Sequence, residues 1–436
     1  AQNVINVTDT AFLGHVSEVA LGASAMGGLF YICIFTIAFG FSTGSQIVIA
    51  RRNGEGRYSD VGPVMIQGIM FLLLIAILMF GFTKAFGGNI MRLLVSSESI
   101  YEGTMEFLDW RIYGFFFSFV NVMFRALYIG ITRTKVLTIN AVVMALTNVI
   151  LDYALIFGKF GLPQMGVVGA AISTSSCRVV ALTLLLYITF GRVVPHFSFS
   201  CLRPFPWDKL KNLLHIGLPA AGEQVSYSLS QVVITYFTVM LGTAALTART
   251  YAMNIILFSY VFSVALGQGA AILIGHLVGG ERTDAAFILQ KYCLRLSIVV
   301  SICVAIITAA CSKFIFGLLT SNPEIVYMGV MVLCIDVVLE VGRAVNILSV
   351  NVLNAVGDVT YPFVTGLIVM WGVATALSYV FGISFGWGLA GMWVAFTLDE
   401  NIRAIVFVHR WNSRKWEGKT FTRVEKLLKQ TSSHSA

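Results

Sequence analysis

Apolar residues run along this chain in long, nearly continuous stretches rather than in alternating or amphipathic patterns. Twelve stretches stand out, at 1–14, 20–50, 61–84, 103–131, 135–158, 166–190, 213–241, 244–277, 285–311, 325–355, 361–383 and 388–410. About 20 apolar residues in helical form cross the hydrocarbon core of a bilayer. Lipid offers the backbone no hydrogen-bond partners, so a spanning chain is helical or forms a closed barrel. These runs lack the dyad alternation of barrel strands. The pattern predicts an all-α membrane protein of twelve transmembrane helices, the first run reading as the outer end of a helix that begins before residue 1.

The pattern also repeats. "ALGASAMGGLFY" from Ala20 is answered by "ALTARTYAMNII" from Ala245, and "GSQIVIARRNGEG" from Gly44 by "GAAILIGHLVGGE" from Gly269. "MGVVGAAIST" from Met165 is answered by "WGLAGMWVAF" from Trp387. The order is the same in both halves, and six spans per half keep the copies in one orientation. They are therefore parallel repeats about an axis along the membrane normal, an organisation that many transporters use. The expected plan is an N-lobe (1–190), a linker (191–212) with three of the eight prolines, a C-lobe (213–411) and a basic tail (412–436). The other prolines (63, 163, 219, 323, 362) fall at predicted span ends or in loops, so the spans are expected to be unbroken and the lobes to rock as wholes.

Composition changes little in this picture: 57% of residues are hydrophobic and 11% charged. The net charge of +8 could suggest nucleic acid, but its distribution argues against that. Arg51, Arg52, Arg57, Arg133, Lys135, Arg192, Arg203, Lys209, Lys211, Arg282, Lys291 and the tail fall on one side of the predicted membrane. The other side holds Lys84, Arg92, Lys159, Arg249 and Lys313. The richer side is expected to be cytoplasmic, and the C-terminus with it. The seven cysteines form no CxxC pair and have no histidine at metal spacing. Gly40-Phe-Ser-Thr-Gly44 matches the GxSxG pattern, but a nucleophile elbow needs a strand-to-helix turn. Inside an apolar span its small residues serve helix packing instead. The chain is not expected to be an enzyme.

Acidic residues within spans are costly and mark functional candidates. Asp9 in span 1, Asp152 in span 5 and Thr174 in span 6 all fall roughly 8–12 Å from the outer edge at about 1.5 Å per residue. Asn148 lies one turn below Asp152 on the same helix face. Two carboxylates, an amide oxygen and a hydroxyl at one depth can hold a monovalent cation. The two carboxylates can instead share a proton, or the group can be a hydrogen-bonded lobe core. In the second half, Glu223 (span 7) and Glu340 (span 10) fall deeper, with Asp336 one turn outward from Glu340. Arg343 follows Glu340 by three residues, so a structural ion pair competes with an ion or substrate site. Arg178, Arg295 and Arg403 are expected to snorkel or meet a lobe contact. Arg111 and Arg125 in span 4 call for partners, with Asp109 a possible acid. Gln231, Asn254, Gln268, Asn346 and Asn351 are expected to bond across helices.

Several segments then become specific. "NVTDTAFLG" (Asn6–Gly14), "NVILDYALIFG" (Asn148–Gly158), "GVVGAAIST" (Gly166–Thr174), "GLPAAGEQ" (Gly217–Gln224), "ALTARTYAMNI" (Ala245–Ile255) and "LNAVGDVTYP" (Leu353–Pro362) resemble the multidrug and toxic compound extrusion (MATE) family, bacterial type, in order along the chain. The resemblance implies export of organic cations or drugs in exchange for Na⁺ or H⁺, with no other cofactor. It implies that Asp9, Asn148, Asp152 and Thr174, on spans 1, 5 and 6, form an N-lobe coupling site. For the NorM-type branch it implies acids in spans 7 and 10, for which Glu223 and either Asp336 or Glu340 are the candidates. The implied setting is the bacterial plasma membrane, as a monomer whose partners are small molecules and lipid. A flippase for lipid or polysaccharide precursors, from the same superfamily, is the alternative. The sequence leaves open Na⁺ against H⁺ and the exported compound.

Overall fold

A computed structural model describes residues 2–95, 97–193 and 207–417. The described residues form fifteen α-helices and no strand. They are α1 (Gln2–Val16), α2 (Glu18–Gly54), α3 (Tyr58–Leu94), α4 (Glu98–Arg111), α5 (Gly114–Gly130), α6 (Lys135–Phe157), α7 (Gly166–Ile188), α8 (Trp207–Met240), α9 (Thr243–Gly279), α10 (Thr283–Ala310), α11 (Ser312–Leu319), α12 (Pro323–Ala355), α13 (Thr360–Val369), α14 (Ala376–Tyr379) and α15 (Gly388–Asn412). Among the described residues, eight helices are long and apolar enough to span a membrane, nine if α4 and α5 are counted as one bent span. Their outward faces are apolar: Leu74, Ile77 and Leu78 on α3 and Ile306 and Ile307 on α10 are all more than half exposed. In water such faces would be costly, whereas acyl chains solvate them.

The chain divides into two compact units, residues 1–53 with 57–221, and residues 54–56 with 222–436. The division falls inside α8. Of the predicted linker (191–212), residues 191–193 continue α7 as a π-helical turn and 207–212 belong to α8. The remaining linker residues, and residues 418–436 of the tail, lie outside the described residues. Helix boundaries repeat between the units: α2 at 18 and 54 recurs as α9 at 243 and 279, a spacing of 225 at each end. At the same spacing α4 and α5 together (98–130) correspond to α12 (323–355).

Two spans depart from the expected unbroken form. Span 4 is bent by 54° between α4 and α5. No proline lies there. Instead the Ser118 hydroxyl bonds back to the Gly114 carbonyl at 2.6 Å, and Tyr31 Oη donates to the same carbonyl at 3.3 Å. Hydroxyl capture of a helix carbonyl is a recognised cause of bending. Span 11 is π-wound over 370–375 and 380–384, and Thr375 Oγ1 reaches the Met370 carbonyl five residues back at 3.1 Å. Pro219 lies inside α8 rather than at its end, because that helix starts at Trp207. Pro63 likewise sits within α3, near its start. Pro323 is the first residue of α12, where its missing N–H costs nothing, and Asn322 caps the helix by accepting from the Glu324 N–H at 3.0 Å.

The GxSxG segment is helical, within α2. A Cβ on Gly44 would lie 2.5 Å from the Gly217 Cα, so the glycine lets α2 and the start of α8 touch through their backbones. Ser42 is buried and donates to its own helix at the Phe39 carbonyl, 2.8 Å away.

Candidate functional site

In the first unit, α6 and α7 form a hairpin that brings two short polar rows together. Gly158 closes α6 in the left-handed conformation (φ 66°), and the Met165 N–H returns to the Leu155 carbonyl at 2.8 Å. Just inside the turn Gly169 meets Leu155: a Cβ there would lie 2.8 Å from that residue's backbone. This close approach seats Ser173 and Thr174 of α7 beside Asn148 and Asp152 of α6. Asn148 Nδ2 donates to Ser173 Oγ at 3.4 Å, and Ser173 Oγ donates to the Asn148 carbonyl at 3.2 Å. Asp9 comes from α1, and Thr174 Oγ1 donates to its Oδ2 at 3.4 Å. The structure thus gathers Asp9, Asn148, Asp152 and Thr174 into one place.

The interior of this cluster is largely buried. Asn148 and Asp152 are fully buried and Thr174 nearly so; Asp9 is half-buried. Leu13, Ile156, Ala170 and Ala171 on the same helices form an apolar cluster with Phe107 of α4. Both oxygens of Asp152, Oδ1 of Asp9 and Oδ1 of Asn148 are buried without a hydrogen-bond partner. Burying a charged oxygen unpaired costs several kcal/mol, so native proteins keep such atoms only for a reason. Asp9 is the like charge that acts on Asp152 most strongly. Four unpartnered oxygens from two carboxylates and an amide make a hard donor set. It suits a monovalent cation of the Na⁺ type or a proton held between carboxylates.

Two arginines stand beside the cluster. Arg178 is buried rather than snorkelling: its Nη1 donates to Tyr31 Oη at 2.9 Å and to Ser118 Oγ. Arg111 does not use Asp109, which is exposed and paired with Lys84 at 2.7 Å. The Arg111 guanidinium is buried over the Tyr31 ring, 4.1 Å from its centroid, and lies within electrostatic reach of Asp9 and Asp152. Arg125 packs its guanidinium over the Phe39 ring. Tyr31 gave no sequence signal, since one tyrosine in an apolar span reads as packing.

In the second unit the acids are mostly paired. Glu340 is buried, bonded to Arg343 and to Ser259 Oγ at 2.6 Å. Asp336 accepts from Trp393 Nε1 at 3.3 Å. Glu223 is half-buried, with Arg403 the opposite charge acting on it. Arg403 itself is buried and pairs with Asp399 and with Glu400 at 3.3 Å. It therefore does not snorkel, and Asp399 and Glu400, at i−4 and i−3, are its partners on the same helix. Their spacing on one helix face is readable from the sequence. Arg343, Asp399, Glu400, Arg403, Tyr227 and Trp393 border a cavity of about 30 Å³, room enough for water. Of the span amides, Gln231 accepts from Arg249 at 3.0 Å and Asn346 donates to Glu400 at 2.6 Å, both across helices. Asn254 and Asn351 instead bond within their own helices, to Thr250 and Ile347 carbonyls, as side chains one turn on can.

Comparison with known proteins decides the family. The MatE family model matches residues 1–154 and 219–380, more than half of the chain. The chain belongs to the MatE family. An uncharacterized transporter, YisQ of Bacillus subtilis, is 32% identical over 94% of this chain and 90% of that protein. A probable multidrug resistance protein, NorM of Thermotoga maritima, is 23% identical over 95% and 89%. Among solved structures, an outward-facing multidrug resistance MATE transporter of the MOP superfamily superposes with a TM-score of 0.86 at 18% identity, covering 95% of this chain and 93% of the other. MatE proteins are transporters, and the chain is a multi-pass membrane protein with their two-lobe, twelve-helix fold.

Proposed function

We propose that this MatE chain is a secondary active exporter that exchanges organic cations or drugs for Na⁺ or H⁺. The coupling ion is held by Asp9, Asn148, Asp152 and Thr174. The observation that carries the reading is Asp152: fully buried, beside a second carboxylate, with both oxygens lacking a partner. The multidrug resistance names of relatives such as NorM support the substrate class. A cation drives export only by binding one conformation more tightly than another. Here binding cancels one of the two like charges of a carboxylate pair and so relieves their repulsion, which favours whichever conformation encloses them.

The C-lobe acids take a lesser part. Glu340 already has a full positive partner in Arg343, so Glu223 and Asp336 are the ones left to contact ion or substrate. We propose a monomer in a bacterial plasma membrane; the arginine and lysine asymmetry supports a cytoplasmic C-terminus. The test is drug efflux from cells expressing Asp9→Asn, Asp152→Asn or wild-type protein at equal levels. Each substitution is expected to reduce ion-driven export at least tenfold. Undiminished export by both variants contradicts the reading.

A further inference from the structure

We propose that Arg111 is a tethered counter-cation of the N-lobe site, which competes with the coupling ion for Asp9 and Asp152. The inference rests on the function proposed above and deepens it. Arg111 is the last residue of α4, immediately before the 54° bend, and is 5% exposed. Its Nε and Nη1 are buried without an acceptor, while both oxygens of Asp152 and one of Asp9 are buried without a donor. Arg111 lies within electrostatic reach of both Asp9 and Asp152. Unused donors and unused acceptors of opposite charge thus share one buried core without being joined.

Tyr31 explains why they stand apart. Its ring supports the Arg111 guanidinium at 4.1 Å, and its hydroxyl is fixed by Arg178, Ser118 and the Gly114 carbonyl. The ring is therefore a rigid platform on which Arg111 rests without a carboxylate, held by a cation–π contact. When a Na⁺ or proton occupies the carboxylates, Arg111 stays on the ring. When the ion leaves, two bare carboxylates in a low-dielectric core draw the guanidinium from it. Arg111 then fills the place of the ion, lowers the cost of the empty site and weakens ion rebinding. It is a positioning and competing residue; it does not touch the exported drug.

The experiment measures equilibrium binding of ²²Na⁺, and proton uptake by an indicator dye, on purified protein in lipid nanodiscs. The half-saturating activity of the driving ion in proteoliposome efflux is measured in parallel. Arg111→Gln is expected to tighten binding of the driving ion about tenfold or more, since a nearby positive charge is gone. It is also expected to slow export, because the ion is released less readily. Arg111→Lys keeps the charge and is expected to stay within about threefold of wild type, which shows that the position tolerates change. Tyr31→Leu removes the platform and is expected to weaken ion binding, the opposite sign. Unchanged or weakened binding in Arg111→Gln, with Arg111→Lys folded, overturns the proposal. If Asp152→Asn leaves binding and export intact, the N-lobe site itself fails. If Asp152→Asn abolishes binding and Arg111→Gln does nothing, only the role of Arg111 falls.

Discussion

Buried charge at single residues in this protein falls into two kinds, and they should respond differently to substitution. Glu340 and Arg343 satisfy each other one turn apart on α12, with Ser259 adding a donor. Removing one partner leaves a charge uncompensated in a dry interior, which typically costs about 3–5 kcal/mol. Arg343→Met is therefore expected to lower the melting temperature in detergent sharply. The double variant Glu340→Gln, Arg343→Met should recover much of that loss. Asp152 is the other kind, since its oxygens have no partner to lose. Asp152→Asn removes a buried like charge beside Asp9, so it is expected to leave the melting temperature unchanged or raise it while export falls. A fall in both would make Asp152 a structural residue. Individual acids were legible in the sequence because an acid in an apolar span has few explanations. Their partners were not: Arg111 turned from Asp109 to an aromatic ring, a choice that only packing makes.

At the scale of elements, the site depends on how closely α6 and α7 approach. A side chain on Gly169 would meet the Leu155 backbone at 2.8 Å, and backbone cannot swing aside as a side chain can. Gly169→Val is expected to splay the hairpin, destabilise the protein by about 1–3 kcal/mol and weaken ion binding with it. Thermal melting and ²²Na⁺ or proton binding on the same sample check both effects, and a loss of stability with full ion affinity would show the hairpin to be irrelevant to the site. Spans were legible from apolar runs, because lipid enforces helix and imposes length. Breaks within them were not. The bend at 112–113 and the π-wound turns of 370–375 have no proline; they arise where Ser118, Tyr31 and Thr375 hydroxyls reach backbone carbonyls. Those contacts are set by neighbouring helices, so proline counting misses them. The expectation of unbroken spans therefore fails at spans 4 and 11.

For the whole molecule, the two halves keep one ground plan, with α2 and α9 bounded alike at a spacing of 225 residues. The chemistry has diverged: open carboxylates lie in the first unit, and arginine-paired acids predominate in the second. Exchange of one monovalent cation for one cationic drug is electroneutral, so a tenfold ion gradient supplies about 1.4 kcal/mol and supports roughly tenfold drug accumulation. A membrane potential clamped with valinomycin should then change the final accumulation little. The most direct test of N-lobe coupling is efflux of a fluorescent organic cation from proteoliposomes, with Na⁺ and pH gradients imposed separately, for wild type and Asp152→Asn side by side. The account predicts that one gradient drives wild-type efflux and that neither drives it in Asp152→Asn. Gradient-driven efflux by the variant at the wild-type rate, or wild-type flux indifferent to both gradients, would contradict it.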